Sequence, residues 1–81
     1  MEPMTETTPD STADVLATSG EHIAQFFTFA HLPPHLQEVS RPFAALAAAV
    51  VLKLPRNPER TVALRKLLEA KDAAVRALVA K

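Results

Sequence analysis

Residues 34–81 read PHLQEVSRPFAALAAAVVLKLPRNPERTVALRKLLEAKDAAVRALVAK, and the fold is decided there. Leu36, Val39, Phe43, Leu46, Val50 and Leu54 recur at spacings of 3, 4, 3, 4 and 4. Such spacing is the apolar seam of one helix packing on another. Pro42 falls inside the seam. It removes one hydrogen bond and collides with the carbonyl of Glu38, so a kink over residues 38–42 is expected rather than a break. Ser40 offers an alternative, as an N-cap that restarts the helix.

Leu54-Pro55-Arg56-Asn57-Pro58-Glu59 then predicts a tight turn. Asn57 is placed to cap the next helix, with Pro58 at its first position and Glu59 in its first turn. That helix runs to the C-terminus. On a helical wheel Leu67, Leu68, Val75, Leu78 and Val79 fall within about 60° of Leu64 and form with it the core stripe. Arg65–Glu69 and Asp72–Arg76 are i,i+4 pairs of ordinary helix support. Lys71 lies about 20° from the centre of the apolar stripe. A lysine there snorkels, pairs with a carboxylate, or meets an anion at a subunit interface. Alanine is abundant on both helices, which favours helix formation and lets backbones approach closely. A short connection makes the pair antiparallel.

Upstream, Met1 to about Thr12 mixes Pro, Thr, Ser, Glu and Asp and reads as a disordered acidic tail. Residues 13–33 read as a shorter helical segment ending in a proline turn. Thr18 followed by Glu21 is a capping-box pattern, and Ile23, Phe26, Phe27 and Ala30 share a face behind it. Gly20 separates this segment from Val15-Leu16. His31-Leu32-Pro33-Pro34 ends it, because a residue before proline avoids the α region. The expected fold is therefore all-α: an antiparallel helical hairpin over 34–81 with a shorter N-terminal helix.

Composition bounds the function. The chain has 81 residues and no cysteine, so disulfides and thiolate metal sites are excluded. A core this small needs extra buried surface, and self-association is the expected source. No apolar run reaches the length of a membrane span. The acidic N-terminus lacks the basic region of a signal or transit peptide, and a cytoplasmic protein is expected. Formal charge is zero overall but −6 over residues 1–40 and +6 over residues 41–81. The basic half can attract an anionic ligand; alternatively the charges sit on solvated faces and the halves attract each other across subunits.

Catalytic chemistry finds little support. One glycine cannot build a phosphate loop, and Ser40 has no nearby base in sequence. His31, His35 and Glu38 could share a face and bind a metal only if Pro33 and Pro34 allowed a helix there, so no metal is expected. His31 is read instead as capping the turn. No cofactor is expected, and no enzyme. Arg56, Arg60, Lys66 and Lys53 could contact phosphates of a nucleic acid, but no recognition-helix signature accompanies them.

Two stretches resemble a known family. Phe27-Thr28-Phe29-Ala30-His31-Leu32-Pro33-Pro34 is similar to the aromatic–His–Pro segment of a phage helical-hairpin family. Pro55 to Arg76 is similar to its second helix, most specifically in Thr61-x-Ala63-Leu64-x-x-Leu67-x-Glu69-Ala70. The family is the anti-CBASS cyclic-oligonucleotide sponge, related to the Thoeris anti-defence sponge, and the resemblance covers residues 27–81. It implies a homo-oligomer, a hexamer built as a trimer of dimers, that binds cyclic di- or trinucleotide signals between subunits and keeps them from bacterial immune effectors. The ligand contacts expected on this chain are Phe29, His31, Arg41, Arg60, Lys71 and Lys81. Phe29 would stack on a base and Arg41 would hold a phosphate, while Lys81 would line a threefold site. Alternatives are interface core for Phe29, helix-start solvation for Arg41 and dipole compensation for Lys81. A second reading is a small helical adaptor of phage or actinobacterial origin that docks a protein partner.

Overall fold

A computed structural model describes residues 7–80, with side chains described from Thr12 onward. The described chain is all-α: helix α1 (Thr7–Ala17), a 3-10 helix (His22–Phe27), α2 (Pro34–Lys53) and α3 (Pro58–Val79), with no strand among the described residues. Helix α1 begins at Thr7, inside the stretch to Thr12 expected to be a disordered tail. Pro9 does not prevent this, because first-turn amides have no intrahelical acceptor to lose. Residues 1–6 of the expected acidic tail lie outside the described residues.

The expected helix start at Thr18 is instead the end of α1. Both the amide and the hydroxyl of Thr18 donate to the Asp14 carbonyl, at 3.0 and 2.8 Å. Ser19 does the same to the Leu16 carbonyl, at 3.3 and 2.8 Å. Gly20 then turns the chain at φ +79°. Glu21 makes no reciprocal cap, because its carboxylate is drawn away to α3. The segment behind it closes as a six-residue 3-10 helix, burying Ile23, Ala24 and Phe27 and leaving Phe26 exposed.

The start of α3 matches its sequence reading. Asn57 Oδ1 accepts from the Arg60 amide at 2.9 Å, with Pro58 at the first position and Glu59 in the first turn. Helix α2 passes through Pro42 without a break, and Ser40 is a buried mid-helix residue rather than a cap. Helices α2 and α3 pack on each other across the Leu54–Asn57 connection. Helix α2 and the 3-10 helix each touch the other three elements, while α1 and α3 meet only through them.

The stripe of α2 that faces the core is not the expected seam. Ser40, Ala44, Ala47 and Ala48 are buried; Leu36, Val39, Phe43 and Val50 are half-buried, and Leu46 and Leu54 are exposed. The two stripes lie roughly 100° apart on the helix. Small side chains win the core position because Phe27, which is fully buried, occupies the space above them with Leu64 of α3. Packing at interior density leaves no room for a second row of large side chains there. Helix α3 keeps its expected stripe in its first turns, with Leu64 buried and Leu67 and Leu68 half-buried, but Leu78 and Val79 reach solvent.

The result is a thin slab. Its extents are 42 × 38 × 16 Å and its radius of gyration is 13.2 Å. A compact chain of this length would have about 11–12 Å. The least extent is about one and a half helix diameters.

Two substitutions test this packing. A Cβ on Gly20 would come within 3.0 Å of the Arg56 guanidinium and would force a left-handed alanine. Gly20→Ala should cost about 1–2 kcal/mol in urea unfolding, and an unchanged midpoint would contradict the turn geometry. The Ser40 hydroxyl is fully buried with no hydrogen-bond partner among the described residues. Ser40→Ala should therefore stabilise by about 1 kcal/mol, whereas a loss of stability would show that the hydroxyl is bonded.

Candidate functional site

Helix α2 starts from a turn that its own side chains close. The Leu32 amide donates to the Phe29 carbonyl at 3.0 Å. Gln37 reaches back from the first turn of α2, and its Nε2 donates to the carbonyls of Leu32 (2.7 Å) and Ala30 (3.3 Å). Gln37 thus does the work expected of His31, which is exposed on the same turn. One helical turn on, Arg41 donates through Nη2 to Gln37 Oε1 at 3.4 Å. The Arg41 guanidinium carbon lies 5.3 Å from the centre of the Phe29 ring, within cation–π range. Phe29 is half-buried and Arg41 is exposed.

Phe29 also lines an apolar recess of about 190 Å³. Its other walls are Ala13 and Leu16 of α1, Phe27 of the 3-10 helix, Thr28 and Ala30 of the turn, and Ala44 of α2. Two of the residues expected at a ligand site, Phe29 and Arg41, are therefore brought together beside a recess. An exposed guanidinium offers a planar fork of donors to a phosphate, and both its plane and the phenyl ring can stack on a base.

Arg60 and Lys71 are placed elsewhere and engaged within the chain. Arg60 is buried. Its Nε donates to Glu21 Oε2 at 2.9 Å, Nη1 to the carbonyls of Val51 (3.1 Å) and Leu54 (3.2 Å), and Nη2 to the Ser19 carbonyl (3.2 Å). Thr61 donates to the other Glu21 oxygen at 2.8 Å. A guanidinium used this fully inside the fold has little left for an external phosphate. Lys71 snorkels along α3 to the end of the 3-10 helix, where Nζ donates to the Phe26 carbonyl at 2.7 Å. Asp72 stands 3.7 Å from it. Lys81 lies outside the described residues. No three of the described His, Asp and Glu side chains converge on a point that could hold a metal ion.

Sequence reasoning missed Gln37 and Glu21. Gln37 was findable, because it stands four residues before Arg41 on a helix. Glu21 carried no such signal, since its partners are 39 and 40 residues away.

Burial acts to raise the Glu21 carboxyl, but hydrogen bonds from Thr61 and Arg60, with the charges of Arg60 and Arg56, outweigh it and hold the group below its ordinary value of 4.5. A carboxyl depressed in the folded state stabilises fully above its unfolded value, and the stabilisation is lost as pH falls through the folded one. Wild-type urea midpoints should be flat from neutral pH down to about 5.5 and fall below about 4.5. Glu21→Gln should lower the midpoint at neutral pH and lose this acid component; parallel profiles for the two proteins would contradict the assignment. No family model matches this chain, and no curated protein or solved structure matches it.

Proposed function

We propose that this helical-hairpin protein is a non-catalytic, homo-oligomeric sponge for cyclic di- or trinucleotide immune signals, made by a phage and acting in the host cytoplasm. The observation that carries the reading is the Phe29–Arg41 pair, an exposed guanidinium over an aromatic ring beside an apolar recess. A cyclic oligonucleotide presents flat bases and a ring of phosphates, and this pair offers a stacking plane and a fork of phosphate donors. His31 stands on the same turn. Gln37 bonds Arg41 and the turn that follows Phe29, which lowers the ordering cost of binding. Hexameric assembly, with ligands held between subunits, follows from the resemblance of residues 27–34 and 55–76 to the anti-CBASS sponge family. Arg60 and Lys71 drop out of the ligand set and serve the fold.

A second reading, a small helical adaptor, is favoured by a different observation. Leu46 and Leu52 of α2 present a bare apolar face that would suit a protein partner. No described helix is long and apolar enough to cross a membrane.

Calorimetric titration with cyclic di- and trinucleotides and cyclic ADP-ribose isomers separates the readings. At least one cyclic nucleotide should bind. Arg41→Ala should weaken that binding roughly 10- to 100-fold, the worth of a charge-assisted hydrogen bond, without changing the light-scattering mass. Unchanged affinity would remove Arg41 from the site, and binding to none of the panel would leave the adaptor.

A further inference from the structure

The recess beside Phe29 is walled almost wholly by carbon. Leu16, Phe27 and Ala44 are its buried walls, while Ala13, Thr28 and Ala30 stand exposed around it. Thr28 is the one polar side chain among its walls, and its hydroxyl is engaged by its own turn, donating to the Gln25 carbonyl at 3.2 Å. The Phe29 carbonyl accepts from the Leu32 amide, and the Ala30 carbonyl from Gln37. A nucleobase carries donors and acceptors around its edge. Inside such walls they would lose water with little in return. A base can lie against the exposed part of the Phe29 ring, but its polar edge has no place in the recess.

An apolar group fits the space instead. The recess holds about 190 Å³. An apolar cavity of about 150 Å³ stays dry and takes up benzene. There is room here for one phenyl ring.

A positive charge stands next to this space. Arg41 precedes Ala44 by three residues on α2, so their side chains are neighbours on the helix surface. Its guanidinium carbon is 5.3 Å from the centre of the Phe29 ring, which is itself a wall. Among the described residues no carboxylate forms an ion pair with Arg41. Its side-chain hydrogen bond among them goes to the neutral Gln37 oxygen, at a long 3.4 Å. The fork of donors is open to a carboxylate, which matches its geometry.

The geometry points to a ligand of a different class: a small amphipathic carboxylate whose apolar body, the size of a phenyl ring, fills the recess between α1, the 3-10 helix and α2, and whose head pairs with Arg41. Burial of the ring supplies affinity without direction. The charge beside the recess decides which end of the ligand enters. This assignment does not rest on the cyclic-nucleotide reading. It shares Arg41 with that reading but takes another ligand, so either can fail alone.

The probes are phenylpropionate, its neutral amide phenylpropanamide, and propionate, which lacks the ring. Each is titrated into the protein and followed by calorimetry and by the methyl NMR shifts of Ala13, Ala30 and Ala44, with circular dichroism on every variant. Phenylpropionate should bind in the millimolar range or tighter and move these methyls. The amide should bind roughly tenfold more weakly, and propionate should leave the methyls unmoved. Arg41→Ala should bring the acid down to the affinity of the amide without changing the amide. Ala13→Leu and Ala30→Leu place a longer side chain at exposed walls and should each weaken acid and amide alike by about tenfold or more. Should one leucine variant unfold, the other decides. Equal binding of acid and amide to wild type, loss of the amide with Arg41, or unchanged affinity in the folded leucine variants would overturn the assignment. So would methyl shifts confined to other residues, or no binding of phenylpropionate.

Discussion

The fold turns on one buried ion pair, Arg60 with Glu21. Taking two charges out of water is costly, and it is repaid only when every remaining donor and acceptor finds a partner. Here the partners are present. Three backbone carbonyls and a carboxylate oxygen take up the guanidinium, while Thr61 holds the second carboxylate oxygen. Those carbonyls belong to the turn after α1, the end of α2 and the connection after it. One arginine therefore pins four parts of the chain at a single point. Removing either partner would strand a charge in the interior, which is worse than having neither.

The rest of the packing follows from that anchor. With Glu21 fixed to α3, the 3-10 helix lies where Phe27 drops onto the alanines of α2, and Lys71 ties its far end to α3 through the Phe26 carbonyl. The split of charge between the halves of the sequence acquires a partial explanation inside the chain. The acidic half supplies Glu21, and the basic half supplies Arg60 and also Arg56, which donates to the Gly20 carbonyl at 2.9 Å. Attraction between the halves is intramolecular at this point.

Helix α2 serves the core and the proposed site together. Its start holds Gln37 and Arg41 against the turn that carries Phe29. Its middle presents alanines inward and a bare apolar surface outward. The core needs small side chains on one side of this helix, and that need displaces the larger ones towards solvent.

The sequence by itself determined the elements whose cause is local. The α2–α3 boundary, the Asn57 cap, the Pro58 start and the helical character of residues 34–79 depend on neighbours within a turn or two, and residue types are enough to state them. The same reasoning placed a helix start at Thr18, where the local capping box lost its glutamate to a partner 39 residues away. Only the tertiary structure decided that Glu21 and Arg60 pair, that alanines rather than leucines face the core of α2, that Lys71 ends on a carbonyl, and that Arg41 lies over Phe29. Each of these depends on which surfaces meet. A residue's type sets what it can bond or bury, but the partner comes from the path of the whole chain, and periodicity along one helix does not record it.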